Sequence, residues 1–248
     1  MERLAEHAER LRALHHRDEL LVLPNAWDVA SARLVAGQGY PAIATASAAV
    51  TASLGHEDDD CMPPDEMFAA VGRMAAAVDR PVTADVEAGY RLEPEDLIGR
   101  LLGAGAVGLN LEDTDHHGDG DFVAADAQAR RLEDVKDAGR EAGVDVVLNA
   151  RVDTPELGEA LERARLYAEA GADCLYPINL AADDIRDFAA GADLPVNVSV
   201  RPGFPTLNEL RERGVARVSF GPGLQRVALG AVKRFLGKLD PEKPVYPI

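Results

Sequence analysis

The sequence predicts an α/β fold, a closed (β/α)8 TIM barrel in a single domain that spans residues 1–248 with an added N-terminal helix. Eight short apolar segments typical of strands alternate almost strictly with longer amphipathic segments typical of helices. The chain has 248 residues and 47% hydrophobic content, enough for one barrel-sized core. No linker or low-complexity tract divides it.

The elements follow in chain order. A predicted helix covers residues 2–16, ahead of the first strand. The predicted strands cover residues 20–24, 42–45, 82–86, 107–111, 146–150, 174–177, 196–200 and 217–220. The predicted helices cover residues 29–36, 64–78, 94–102, 124–142, 155–170, 182–190, 206–213 and 224–236. Eight such units favour a closed parallel barrel over an open doubly wound sheet.

Glycines support the predicted helix ends, because glycine adopts the left-handed C-cap conformation without steric cost. The glycines in question are Gly37, Gly103, Gly143, Gly171 and Gly214. Each stands shortly before a predicted strand, so we expect each to cap the helix that precedes it.

The charge balance excludes some partners. The 26 Lys and Arg residues against 43 Asp and Glu residues give a formal charge of −17, which repels nucleic acid and anionic membranes. Cys61 and Cys174 fit neither a disulfide framework nor a metal-ligand spacing. The sequence shows no export signal and no run of about 18 apolar residues. We therefore expect a soluble cytoplasmic protein whose partner is a small molecule.

Acidic residues stand at the predicted carboxyl ends of strands, where barrels place their active sites. Asp85 and Glu87 alternate onto one side after the third strand, and Glu112 follows the fourth. A single such acid would usually cap a helix or pair with a surface arginine. Converging carboxylates repel one another unless a cation compensates, and Mg²⁺ prefers such oxygen ligands. The three acids together predict a metal site, for Mg²⁺ or alternatively Mn²⁺.

Arg151 has two interpretations. Its planar guanidinium can bind a substrate carboxylate through two hydrogen bonds, or it can form a structural salt bridge with Asp153 or Glu112. His116 and His117 lie in a polar loop, residues 113–123, where they either transfer protons or are simply solvated.

Two enzyme classes are excluded on the residues present. None of the lysines lies at a strand end, which rules out a Schiff-base aldolase. They are Lys136, Lys233, Lys238 and Lys243. A Ser-His-Asp hydrolase is also disfavoured, because no Gly-x-Ser-x-Gly sequence occurs.

Seven motifs in order along the chain resemble the isocitrate lyase/phosphoenolpyruvate mutase superfamily. They are PNAWDVASA (residues 24–32), AIATAS (42–47), LGHED (54–58), PVTADVEAGY (81–90), GLNLED (108–113), NARVD (149–153) and PVNVS (195–199). The resemblance implies a Mg²⁺-dependent barrel that makes or breaks C–C or P–C bonds beside a 2-oxo acid through a metal-stabilised enolate.

The resemblance also implies a role for each matching residue. Asp85 would bind the metal directly, and Asp58, Glu87 and Glu112 would hold its waters. Thr45, Ala46 and Ser47 would form a backbone cradle beside the substrate's carboxylate and enolate oxygens. Arg151 would bind the substrate, and Asn197 and Ser199 would help to hold a second carboxylate. The predicted catalytic set is Asp58, Glu112, Arg151, His116 and His117.

The chain departs from the superfamily pattern in three places, one of which is Tyr176-Pro-Ile-Asn179 at the end of strand six, where the mutase places a histidine. Lyases of this superfamily carry a Lys-x-Cys-Gly-His loop after the strand-four acid, whereas residues 115–120 here read DHHGDG. His116 or His117 would have to take over proton transfer. Many members exchange a C-terminal helix between subunits, and this sequence stops about where that helix would begin. A homo-oligomer without that exchange is the expectation.

These observations predict a lyase that acts on a small 2-oxo or 2-hydroxy carboxylate, by C–C cleavage or by oxaloacetate-type decarboxylation. One alternative is a P–C bond enzyme similar to a phosphonopyruvate hydrolase or a phosphoenolpyruvate mutase. Another is a barrel that binds a metabolite without catalysis. A remoter alternative is an unrelated phosphate-binding barrel, suggested only weakly by glycines after strands seven and eight.

Overall fold

The computed structural model describes residues 1–118, 121–239 and 242. The first barrel strand consists of two short segments, β1 (Leu21–Val22) and β2 (Asn25–Ala26). The other strands are β3 (Ile43–Thr45), β4 (Val82–Asp85), β5 (Gly108–Leu111), β6 (Val147–Val152), β7 (Cys174–Pro177), β8 (Asn197–Ser199) and β9 (Arg217–Ser219). The segments pair in parallel, which confirms the predicted fold class.

The barrel closes through the split first strand. Strands β2 to β7 pair in sequence order, and β1 pairs with β9, which pairs with β8. A parallel bridge between Leu175 and Val196 joins β7 to β8. The first strand changes partner at Leu23 and Pro24, since the Leu23 N–H still donates to the Val218 carbonyl at 2.9 Å whereas proline has no N–H to donate.

The helices surround the sheet. They are α1 (Glu2–Leu14), α2 (Val29–Gly37), α3 (Ser47–Leu54), α4 (Pro64–Ala76), α5 (Pro94–Gly103), α6 (Ala125–Glu141), α7 (Leu157–Glu169), α8 (Ile185–Gly191), α9 (Leu207–Glu212) and α10 (Gly223–Leu236). Helix α3 was not predicted, because its sequence SAAVTASL consists mostly of small residues and shows no helical periodicity. It follows β3 directly and so brings its first residues to the mouth of the barrel.

The glycine caps were predicted correctly at three of five positions. Gly143, Gly171 and Gly214 have φ values of 80°, 90° and 87°. The prediction was wrong for Gly37 and Gly103, which are the last residues of their helices. After these two helices, the glycine with a left-handed backbone comes two residues later, because one more residue in a turn lies between it and the end of the helix.

Helix α1 covers the amino-terminal end of the barrel. A Cβ added to Gly108 would lie 2.7 Å from Leu11 Cδ2, so glycine is required for this close packing. Arg12 Nε bonds Asp173 Oδ1 at 2.6 Å and holds the helix against the strand ends. The opposite, carboxyl-terminal end is therefore the end that can admit a substrate.

A buried histidine and arginine lie at the covered end. His15 Nδ1 lies 2.9 Å from the Leu11 carbonyl oxygen and so carries the proton, while His15 Nε2 accepts from Arg217 Nη1 at 3.4 Å. Burial, and next the charge of Arg217, lowers the pKa of His15 to about 3. The imidazole is therefore neutral in the folded protein at pH 7.

Cys61 is exposed and Cys174 is buried, and both are free thiols. In the described part of the chain, no helix is both long enough and apolar enough to span a membrane.

Candidate active site

Asp85 ends β4 at the open mouth of the barrel. Its backbone N–H donates to Thr45 Oγ1 at 2.9 Å. Its Oδ2 faces the start of α3, 3.4 Å from Ser47 N and 3.3 Å from Ser47 Oγ. Asp85 Oδ1 is buried and has no hydrogen-bond partner among the described residues. This oxygen could therefore accept a new partner without the loss of an existing hydrogen bond.

Glu87 lies beyond the strand, and its backbone is left-handed with φ 52°. Glu87 is therefore positioned by this left-handed turn and not by the expected strand alternation, because β4 ends at Asp85, although the charge of Asp85 still reaches it. Its carboxylate instead accepts the Asp60 N–H at 2.6 Å and the Tyr90 hydroxyl at 3.1 Å. Burial raises the pKa of Glu87 to about 8, and the charges of Asp58 and Asp85 add to the shift.

Arg151 occupies the centre of the mouth. It bonds Asp153 through Nη2 to Oδ2 at 2.6 Å and Nε to Oδ1 at 3.1 Å. It also forms an ion pair with Glu112, and its Nη1 lies 4.0 Å from Asp85 Oδ1. Both salt bridges considered from the sequence are thus formed. Substrate binding by Arg151 remains a prediction, which requires the guanidinium to exchange at least one of these carboxylates for the substrate's.

The acids around Arg151 are buried. Burial raises the pKa of Glu112, against the opposing effects of Arg151 and His116. Asp153 accepts from Thr114 Oγ1 at 2.6 Å, and the Asp153 N–H donates to Asp113 Oδ1 at 2.9 Å. This network holds the Asp153 carboxylate in place against Arg151.

The two loop histidines each contact an acid. His116 Nε2 bonds Glu112 Oε1, which raises the pKa of His116. His117 Nε2 lies 3.0 Å from Asp60 Oδ2. Residues 119 and 120 of the predicted loop lie outside the described residues. The interpretation of the pair as merely solvated does not fit these contacts.

Asp60 is a residue of the site that the sequence did not reveal. The sequence singled out Asp58, which stands in an exposed loop. Loss of hydration and the nearby charge of Asp85 raise the pKa of Asp58. Asp60 is buried and accepts the backbone N–H groups of Ala88 at 3.1 Å and Tyr90 at 2.9 Å. A run of three aspartates carries no signal that its third member is the buried one.

Polar side chains continue below the mouth. Asn149 Nδ2 donates to Asn110 Oδ1 at 2.8 Å. Asn197 Oδ1 accepts from Ser219 Oγ at 3.1 Å, and Asn197 Nδ2 has no partner in the described part of the chain. Ser199 follows Asn197 on the same side of β8 and is half-buried. The free amide donor is consistent with a second anchoring point for a polar substrate.

The chemistry of the donors fits a hard divalent cation, although no preformed cage is present. Within the described residues, no group of three or more His, Cys, Asp or Glu side chains is arranged to hold a metal ion. Arg151 takes up the charge of Glu112 and Asp153 instead. Asp85 Oδ1, which has no hydrogen-bond partner among the described residues, and the buried carboxyl of Glu87 supply oxygen donors of the kind that such a cation prefers.

The chain resembles known proteins along nearly its whole length. Residues 11–239 match the family model for phosphoenolpyruvate phosphomutase. The crystal structure of a proposed phosphonomutase from Burkholderia cenocepacia J2315 superimposes with a TM-score of 0.87 at 38% identity, covering 94% of this chain and 100% of that one. The structure of an oxaloacetate acetylhydrolase with its product oxalate gives a TM-score of 0.87 at 26% identity, covering 99% and 90%.

Sequence relatives agree with these structures. An uncharacterized protein of Mycobacterium tuberculosis H37Rv is 33% identical over 215 residues, 84% of this chain and 80% of the relative. The 2-methylisocitrate lyase of Aeropyrum pernix is 26% identical over 92% of this chain and 78% of its own. The phosphoenolpyruvate phosphomutase of Streptomyces hygroscopicus is 27% identical over 96% and 82%.

Proposed function

Because the chain belongs to the phosphoenolpyruvate phosphomutase family, within the phosphoenolpyruvate mutase/isocitrate lyase superfamily of lyases and mutases, we propose that it is a Mg²⁺-dependent lyase. Its substrate is a small 2-oxo or 2-hydroxy carboxylate, which it cleaves at a C–C bond or decarboxylates as oxaloacetate. The observation that carries this proposal is the Asp85 carboxylate, whose Oδ2 faces the Ser47 amide at 3.4 Å and whose buried Oδ1 has no hydrogen-bond partner among the described residues.

Asp85 is the residue that would bind the cation, and Asp58, Glu87 and Glu112 would hold its waters. Mn²⁺ is the alternative to Mg²⁺. When bound, the cation supplies electrostatic stabilisation for negative charge that develops on the enolate oxygen of the substrate. Thr45 contributes by fixing the Asp85 backbone through its hydroxyl.

Arg151 and the start of α3 would orient the substrate. The guanidinium can exchange Asp153 for a substrate carboxylate without losing its charge pairing, since both groups offer two oxygens in the same geometry. The backbone of Thr45, Ala46 and Ser47 lies beside Asp85 and would contact the carboxylate and enolate oxygens. Asn197 and Ser199 would bind a second polar group.

Proton transfer would come from His116 or His117, since the loop carries histidines where related lyases have a cysteine. His116 is the better placed, because it already bonds Glu112 at the mouth. Decarboxylation requires least of this loop, because the enolate forms directly from the 2-oxo acid and needs only a proton afterwards.

A second candidate is P–C bond chemistry of the phosphonopyruvate hydrolase or phosphoenolpyruvate mutase type. It is favoured by the 38% identity to the proposed phosphonomutase of known structure. The two candidates share the cation and Arg151 and differ in whether the group that leaves the enolate is carbon or phosphorus.

One assay separates the candidates. The product of each acid would be measured with Mg²⁺, with Asp85→Ala as the control: pyruvate from oxaloacetate or 2-methylisocitrate, glyoxylate from isocitrate, and pyruvate or phosphoenolpyruvate from phosphonopyruvate. We expect metal-dependent turnover of a C–C substrate that the control lacks. Turnover of phosphonopyruvate alone would select the second candidate. Binding without turnover of any acid would contradict both and support a metabolite-binding barrel.

We also propose that the protein acts in the cytoplasm as a homo-oligomer. Helix α10 supports the association, because Val227 and Val232 are 66% and 53% exposed on it, beside other exposed apolar residues. Val227→Asp with Val232→Asp should shift the mass measured by light scattering to that of the monomer. Leu34→Asp, at a residue 64% exposed on α2, is the matched control.

A further inference from the structure

The buried carboxylate of Asp60 joins three segments of the chain. Its Oδ1 accepts the N–H groups of Ala88 and Tyr90, and its Oδ2 lies 3.0 Å from His117 Nε2. The Asp60 N–H donates in return to Glu87 Oε2 at 2.6 Å. The side chain of Asp60 is only 1% exposed, so its hydrogen-bond partners are these protein groups and not bulk water.

Two of the segments that Asp60 joins contain residues with strained, left-handed backbones. In the described part of the chain, the non-glycine residues with left-handed backbones are Asp60, Glu87, Tyr90 and Arg91. All four belong to the two segments that Asp60 cross-links. Such conformations persist only where the surroundings impose them, and they cluster at functional sites. The Asp60 contacts, with Tyr90 packed edge-on against Phe68 at 6.4 Å, are what imposes them here.

The third segment is the histidine loop, which we define as residues 113–118 and 121–123. Its base is closed by the Val123 N–H, which donates to the Asp113 carbonyl at 2.8 Å, and by a bridge between Thr114 and Phe122. Its outer part bonds the rest of the site through His116 to Glu112 and through His117 to Asp60. The His117 contact is the one that reaches across to a different loop, 57 residues away in sequence.

From this geometry we propose that Asp60 is a positioning residue. It anchors the histidine loop through His117 and, with the same carboxylate, holds residues 87–91 in the conformation that places Glu87. The position of His116 at the mouth and the position of Glu87 are then set together. His117 acts as the anchor of the loop, and proton transfer is left to His116.

The consequence for catalysis rests on the proposed function. The coupling between the histidine loop and residues 87–91 does not. Hydrogen–deuterium exchange of the intact protein measures the coupling directly. In Asp60→Ala, the Ala88 and Tyr90 amides lose their acceptor, so their exchange should accelerate at least about tenfold, as should that of residues 113–118. In His117→Ala, exchange in residues 113–118 should rise, and a smaller rise should spread to Ala88 and Tyr90.

Two further variants sharpen the test. Asp59→Asn changes the exposed neighbouring carboxylate and should leave both segments unchanged. His117→Gln retains a side-chain donor for Asp60 and should restore most of the protection lost in His117→Ala. Since His117 is partly exposed, its variants remain informative if Asp60→Ala does not fold.

Turnover provides the second readout, on whichever substrate the proposed assay identifies. Both Asp60→Ala and His117→Ala should lower kcat with little change in KM, Asp60→Ala by the larger factor because it also releases residues 87–91, and the double variant should be no worse than Asp60→Ala. Exchange in residues 87–91 that is identical in wild type and His117→Ala would overturn the coupling, whatever the activity. Coupled exchange in a protein with no turnover would instead leave the coupling intact and refute the proposed function.

Discussion

Arg151 is bound by Asp153 through two hydrogen bonds, Nη2 to Oδ2 at 2.6 Å and Nε to Oδ1 at 3.1 Å. A carboxylate of the protein itself therefore occupies the geometry that a substrate carboxylate would take. The same arginine pairs with Glu112 and approaches Asp85. Binding of an anionic substrate at this arginine would then require an exchange of carboxylates, in which the displaced Asp153 keeps its hydrogen bond from Thr114 Oγ1.

Substitution of Arg151 tests this exchange. Arg151→Ala should raise KM for a carboxylate substrate at least about tenfold, since a bidentate charged contact is lost. Arg151→Lys retains the charge but not the planar pair of donors, and should recover only part of the affinity. Steady-state kinetics on the substrate identified by the panel measures both. An unchanged KM in Arg151→Ala would show that the arginine is only a structural partner of Asp153 and Glu112.

Metal affinity should depend on pH through Glu87. Burial raises the pKa of Glu87 to about 8, so at pH 7 its carboxyl is mostly protonated in the metal-free protein. A cation favours the ionised form, hence binding should release a proton near pH 7 and should strengthen as the pH rises towards 8. Calorimetry in buffers of different ionisation enthalpy counts the proton.

Two variants define the origin of that proton. Glu87→Gln should remove most of the proton release while leaving weaker binding of Mg²⁺, whereas Asp85→Ala should abolish binding. Proton release that persists in Glu87→Gln would assign it to another carboxyl, such as that of Asp58 or Glu112.

Much of the fold was predictable from the sequence, because strand and helix periodicities are local properties that the barrel preserves. The positions of Asp85 and Arg151 at the mouth follow from the same alternation. The backbone conformation of Glu87 and the contacts of its side chain could not be predicted in this way. Its left-handed backbone depends on a contact with Asp60, which is remote in sequence, and periodicity says nothing about residues beyond the end of a strand. Helix α3 was missed for a related reason, since its small apolar residues lie in a region buried on several sides.

Stability should fall in acid because of His15. The pKa of His15 is lowered from 6.5 to about 3 by burial and by Arg217. The folded protein keeps His15 neutral, whereas the unfolded chain protonates it below pH 6.5. The free energy of unfolding is therefore undiminished by His15 above pH 6.5 and falls as the pH drops below that value. At pH 5 the unfolded state gains about 2 kcal/mol from protonation of this residue.

Urea unfolding at pH 7 and pH 5 measures the effect. The loss of unfolding free energy between these pH values should be smaller in His15→Gln than in wild type, while His16→Gln, at an exposed neighbour, should match wild type. The comparison between variants is needed because Glu87, with its raised pKa, changes stability in the opposite sense: its contribution is present below pH 4.5 and declines as the pH rises through about 8. Equal losses in His15→Gln and wild type would mean that His15 does not stay neutral in the folded state.

Proton transfer by His116 is the last property to test. His116 bonds Glu112, and that contact raises the pKa of the imidazole, so a larger fraction is protonated near pH 7 and able to donate to an enolate. His116→Ala should lower kcat by about 10²–10⁴-fold if the residue supplies the proton, and added imidazole should restore part of the rate. The rescue distinguishes proton donation from anchoring, because imidazole in solution cannot replace the His117 contact with Asp60. A kcat that is unchanged in His116→Ala would mean that water protonates the enolate, as a simple decarboxylase can allow.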